Sequence, residues 1–93
     1  MLEREVIIKN ETGLHARPAG RFVKESKNYV SDIKLINGSK EINAKSIMSV
    51  MTLGARKGQM IKIQASGDDE EKAVKDLAHF LEIELPLLEK SKE

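Results

Sequence analysis

Each extended stretch of this chain is apolar on one side, and that limits the folds open to it. "MIKIQAS" at 60–66 sets Ile61, Ile63 and Ala65 on one face and Lys62 and Gln64 on the other. "DIKLIN" points Ile33 and Leu35 one way, Lys34 and Ile36 the other, and "EVIIKN" at 5–10 sets Val6 beside Ile8. Period-two alternation of this kind marks strands with one buried face and one wet face. A fourth, brief strand is expected at 40–43, after the tight turn that Asn37-Gly38 favours.

Three other segments carry helical spacing. Ala19, Phe22, Val23 and Ser26 recur at i, i+3, i+4 and i+7. Pro18 is tolerated in a first helical turn, where its missing N–H has no intrahelical partner, so a helix is predicted from near Ala16. Ser46 fits an N-cap for "IMSVMTL", with Gly54 as the stop. From about Asp69, Val74, Leu77, Ala78, Leu81 and Leu85 form one stripe, and acidic residues crowd the first turn, as the helix dipole prefers. Pro86 is expected to end or kink this helix and leave a frayed tail. The order is β-α-β-β-α-β-α, an α+β layer pair with helices over one sheet face. One domain is placed at 1–88, with the tail at 89–93.

Ninety-three residues leave no room for a second domain. The 16 basic and 15 acidic residues nearly balance, so net charge argues neither for nucleic acid nor for a membrane surface. The absence of cysteine excludes a disulfide framework and a thiolate metal site. No signal peptide is read at the N-terminus, and no apolar run approaches the roughly 20 residues of a membrane span. A soluble cytoplasmic chain is expected.

The segment "GLHARPAG" at 13–20 holds the residue on which function turns. An isolated histidine near a helix start is more often a surface residue or a cap, and His79, off its helix's apolar stripe, is assigned to that class. A metal at His15 is disfavoured because no further ligand stands at suitable spacing. A Ser-His-Asp hydrolase is disfavoured by the lack of a nucleophile elbow. An RNA-binding sheet needs aromatic residues on its open face, and this chain has only Phe22, Tyr29 and Phe80.

A chemical reading remains. Gly13-Leu14 turns the chain out of the first strand, so His15 falls at the N-cap edge of a helix, whose unpaired N–H groups and positive dipole attract phosphate. Arg17 adds a planar fork of donors suited to phosphate oxygens. Pro18 fixes φ at the start of the helix. A helix N-terminus favours the neutral, nucleophilic form of an imidazole. The P–N bond such a ring forms is labile, which suits a reversible phosphoryl carrier.

Together "GLHARPA" at 13–19 and "AKSIMSVMTLGARKG" at 44–58 resemble the two signatures of HPr, the histidine-containing phosphocarrier family of the bacterial phosphoenolpyruvate:sugar phosphotransferase system. The similarity continues through "EVIIKN", "NGSKEINAKSIM" and "IQASGDDEEKAV". The resemblance implies an open-faced β-sandwich, with a four-stranded antiparallel sheet and three helices on one side. It implies that His15 takes a phosphoryl group on Nδ1 from phospho-enzyme I and gives it to sugar-specific IIA domains, with Arg17 stabilising the group in transfer. Ser46 resembles the regulatory serine modified by HPr kinase/phosphorylase, which also connects the family to a catabolite-control transcription regulator.

The resemblance implies no cofactor, no metal, no direct nucleic-acid contact and no membrane insertion, and a monomer is expected. Two positions depart from the family pattern: Ser49 stands where glycine is common, and Gly20 sits inside the first helix. A regulatory paralogue with Gln at the position of His15 signals through the serine alone. A signalling-only adaptor is therefore the alternative, disfavoured here by the histidine.

The helix after Ser46 is apolar nearly all round and too short to bury every face. Val50 and Leu53 are assigned to the core, and some of Ile47, Met48 and Met51 to the surface. Methionine adapts to partners of different shape. With Arg17 and its neighbours, the expected docking surface comprises Ala16, Ala19, Gly20, Arg21, Lys24, Lys27, Ile47, Met48 and Met51. A contact that must release quickly is expected to bury about 1,200 Å² or less.

Overall fold

In the computed structural model, which describes residues 1–90, four strands form one antiparallel sheet in the order β1-β4-β2-β3. They are β1 (Leu2–Ile7), β2 (Asp32–Asn37), β3 (Lys40–Asn43) and β4 (Met60–Ser66). The register explains the one-sided alternation. Val6 stands opposite Ile61, Leu35 opposite Ile63 and Ile33 opposite Ala65, and all six are buried. Lys34, Gln64 and Glu3 lie in line on the other face, where Gln64 Nε2 donates to Glu3 Oε2 at 2.6 Å.

The first strand begins three residues earlier than its apolar run suggests, because pairing with β4 reaches back to Leu2 opposite Ala65. Ile8 lies past the strand yet remains tied to the turn after Arg56. Its N–H donates to the Gln59 carbonyl at 2.9 Å, and its carbonyl accepts from Gly58 N–H at 2.7 Å.

Helices α1 (Ala16–Ser26), α2 (Ile47–Thr52) and α3 (Glu70–His79) cover the buried face. The expected stripe of α3 is in place, since Val74, Leu77, Ala78, Leu81 and Leu85 are all buried. Phe22 of α1 meets Phe80 with ring centroids 6.4 Å apart. Asp69 binds across to the start of β2: its carboxylate accepts from Val30 N–H at 2.9 Å and from Ser31 N–H at 3.0 Å. These bonds and the Ser31 hydroxyl hold its carboxyl below the usual range.

The chain does not fray at Pro86. The helical path continues through a π-helical turn (Phe80–Glu84) into α4 (Leu85–Lys90). In that wider turn Leu85 N–H reaches the Phe80 carbonyl, five residues back. Pro86 thus falls at the second position of a new helical segment, where its missing N–H costs little and its ring meets no closed α-turn. Glu89, expected in the tail, is helical and half-buried. The remainder of the expected tail, residues 91–93, lies outside the described residues. Among the described residues no helix is long and apolar enough to cross a membrane.

Candidate functional site

His15 is the N-cap residue of α1, with extended backbone (φ −102°, ψ 179°) and an exposed side chain that caps nothing. Its carbonyl accepts the Ala19 N–H at 2.8 Å, the first turn of the helix. The ring is therefore free of structural duty at the positive end of an eleven-residue helix.

What fixes that position is the turn before it. Gly13 has φ +63°, and a β-carbon there would lie 2.4 Å from the Ala55 carbonyl oxygen. Only glycine permits this approach, which lets Leu14 N–H donate to the same carbonyl at 3.0 Å. Leu14 is buried as an anchor and His15 emerges beside it.

A cleft of about 870 Å³ opens here, lined by His15, Ala16, Arg17, Pro18 and Arg21 of α1 and its start. Lys9, Asn10, Glu11 and Thr12 form a second wall, and Leu85, Pro86, Leu88 and Glu89 a third. Arg17 and Arg21 stand one helical turn apart, both exposed, so two guanidinium groups flank the imidazole's cleft. Pro18 is buried in the first turn of α1. Such an arrangement sets the cations of Lys9, Arg17 and Arg21 around an imidazole whose ring nitrogens are open to solvent, with Glu11 and Glu89 on the other walls.

The expected docking surface divides. Ala19 is fully buried and belongs to the core, because the i, i+3, i+4 pattern that includes it is the inward face of α1. It cannot meet a partner. Ala16 and Arg21 are exposed in the cleft, and Gly20 is half-buried beside Arg17, Lys24 and Leu88 in an adjoining groove. Lys27 is exposed at the C-cap of α1, about 18 Å along the helix axis from His15, outside the cleft.

In α2, Met48 is 76% exposed and Ile47 47%, whereas Met51 packs partly against the core, and none of them lines the cleft. Val50 and Leu53 are buried as expected. Ser46 is a genuine N-cap: its hydroxyl accepts from Ser49 N–H at 3.3 Å, and Gly54, at φ +72°, ends the segment. Ser49, the first departure from the family pattern, gives its carbonyl to the Thr52 hydroxyl.

Sequence reasoning missed two walls of the cleft. Lys9 and Asn10 read as the end of a strand, and of the third wall Leu85 read as core and Glu89 as tail, with no site attached to either. The polar run "KNET" directly before the glycine turn was the one available signal for the former. For the latter, the apolar phase of Leu81 and Leu85 continuing toward Leu88 was the signal.

A family model described as "PTS HPr component phosphorylation site" matches residues 2–82. The chain is 46% identical over 81 residues to the phosphocarrier protein HPr of Buchnera aphidicola subsp. Schizaphis graminum, covering 87% of this chain and 95% of that one. It is 42% identical over 84 residues to the HPr-like protein Crh of Halalkalibacterium halodurans, covering 90% of this chain and all of the other. Its fold matches a crystal structure of HPr from Thermoanaerobacter tengcongensis with a TM-score of 0.85, at 42% identity, over 100% of this chain and 99% of the other.

Proposed function

This chain belongs to the HPr family of phosphocarrier proteins, and from that premise we propose that it accepts a phosphoryl group on His15 from phospho-enzyme I and passes it to sugar-specific IIA domains. It works in the cytoplasm as a stoichiometric co-substrate in phosphoenolpyruvate-dependent sugar uptake, and catalyses no turnover of its own. The observation that carries this reading is the uncapped, exposed imidazole at the N-terminus of α1, sharing one cleft with Arg17 and Arg21.

The lone pair of Nδ1 attacks phosphorus as the donor's P–N bond breaks, and the bonding pair returns to the donor ring. Arg17 stabilises the charge on the transferring oxygens by its paired N–H groups. Position and charge are most of what such a transfer asks of the protein. The next acceptor repeats the exchange in the opposite sense.

Docking uses the exposed Ala16, Arg21, Lys24, Ile47 and Met48 of α1 and α2, with half-buried Gly20 beside them. Ser46 serves as a regulatory site for a serine kinase, and through it the chain reaches a transcription regulator.

Incubation with phosphoenolpyruvate and enzyme I tests the reading. One acid-labile, base-stable phosphate on the intact chain, seen by mass spectrometry and absent from His15→Ala, is the expected result. A phosphate that persists in His15→Ala moves the acceptor elsewhere. A wild-type chain that accepts none, yet is phosphorylated on Ser46, is the signalling-only adaptor instead.

A further inference from the structure

Beyond the last residue matched by the family model, α4 turns a carboxylate onto the loop that precedes His15. Glu89 Oε2 accepts from the Thr12 hydroxyl at 2.6 Å and from Asn10 Nδ2 at 3.1 Å. The same Asn10 nitrogen donates to the Gly13 carbonyl at 2.6 Å. The backbone N–H groups of Glu11 and Thr12 also face the carboxylate. Burial disfavours its ionised form, but the bonds from Thr12 and Asn10 and these amides outweigh that and hold its carboxyl below the usual range.

Two side chains of the loop before His15, Asn10 and Thr12, thus aim their donors at one carboxylate. The anion is supplied by this chain's own C-terminal helix. Asn10 is 2% exposed and ties the Glu89 carboxylate directly to Gly13, two residues before the N-cap. On the far side, Leu14 is bonded to Ala55. The start of α1 is therefore held between two anchors, the Ala55 carbonyl and the Glu89 carboxylate.

We propose that Glu89 is a positioning residue of the phosphoryl-transfer site, locking residues 10–13 so that His15 and Arg17 meet the incoming phosphoryl in one geometry. The inference rests on His15 being the acceptor. Misplacement of a reacting group lowers the rate of the chemical step more than it weakens docking, because the partner's contacts lie mostly elsewhere.

Steady-state transfer from phospho-enzyme I to the full chain tests it, with Glu89→Ala, Glu89→Gln, Thr12→Val and the Glu89→Ala/Thr12→Val pair. Glu89→Ala is expected to lower kcat about tenfold, as loss of a charged hydrogen bond does, with KM nearly unchanged. Glu89→Gln keeps an acceptor oxygen and restores most of the rate. Thr12→Val lowers kcat on its own, and little more is lost when it joins Glu89→Ala, since the bond is already gone. The Gly13 amide exchanges faster with solvent in Glu89→Ala, by NMR. A wild-type kcat in Glu89→Ala, a change in KM alone, or losses that simply add would overturn the proposal. A wild-type chain that accepts no phosphoryl overturns the reading of His15 instead, and the Gly13 exchange rate then still reports on the lock.

Discussion

Gly13 and Ala55 approach so closely that residue 13 has no space for a β-carbon: it would stand 2.4 Å from the Ala55 oxygen and 2.9 Å from Arg56 Cα. Two loops far apart in sequence are thereby pressed together at the foot of α1. Gly13→Ala meets backbone on one side and a disfavoured φ on the other, so one loop must move. Destabilisation of about 2 kcal/mol or more is expected in urea unfolding. Phosphoryl acceptance on His15 should fall as well, because Leu14 loses its bond to the Ala55 carbonyl and the start of α1 shifts.

Gly20 is the opposite case. It lies inside α1 with helical backbone, and a β-carbon there meets nothing within 4 Å. Gly20→Ala should raise stability by up to about 1 kcal/mol, chiefly by restricting the unfolded chain. A midpoint in urea that stays the same or falls would count against this.

Arg17→Lys keeps the charge in the cleft and removes the fork. Transfer to His15 should slow about tenfold or more while affinity for enzyme I changes little, if the guanidinium acts as proposed on the phosphoryl in flight. Calorimetry of docking beside rapid-quench transfer separates the two, and equal losses in both would make Arg17 a docking residue.

Acid should loosen the junction between α3 and β2. Asp69 titrates below its ordinary value of 3.8, first because of the Ser31 hydroxyl and then the Val30 N–H. A lowered carboxyl contributes stability above its unfolded pKa, and that stability is lost as pH falls through the folded value. Asp69→Ala should therefore have the lower Tm at neutral pH. The gap should begin to close near pH 3.8 and vanish below the folded pKa. A gap independent of pH would show that packing, not charge, makes the junction.

Ser46→Asp should leave the fold intact, because the carboxylate can still cap Ser49 N–H and favours a helix N-terminus. Its charge stands next to exposed Ile47 and Met48, on the surface proposed to receive a partner that carries another anion. Phosphorylation of His15 by enzyme I should slow, and the deficit should shrink at high salt. Acceptance at the wild-type rate in low salt, shared by a chain phosphorylated on Ser46, would reduce Ser46 to a cap.

The sheet, the first two helices and His15 at an N-cap were all legible in the sequence, because alternation, Pro18, Ser46 and Gly54 report local preferences directly. The close approach of Gly13 to Ala55 was not, since nothing near residue 13 names a partner about forty residues away. Ala19 was placed on the docking surface against its own helical spacing, which set it with Phe22, Val23 and Ser26 on the inward face of α1. Pro86 misled most: the rule that proline stops a helix assumes α-type bonding before it, and the π-turn removes that premise.

That same turn acts as a phase adjuster. One additional residue per turn rotates everything downstream by about 100° relative to an uninterrupted α-helix. With that rotation, Leu85 stays in the core while Glu89, one turn later, faces Thr12 and Asn10. The angular setting of the last helix, and with it the wall of the cleft opposite Arg17, is thus encoded in how five residues wind between Phe80 and Glu84.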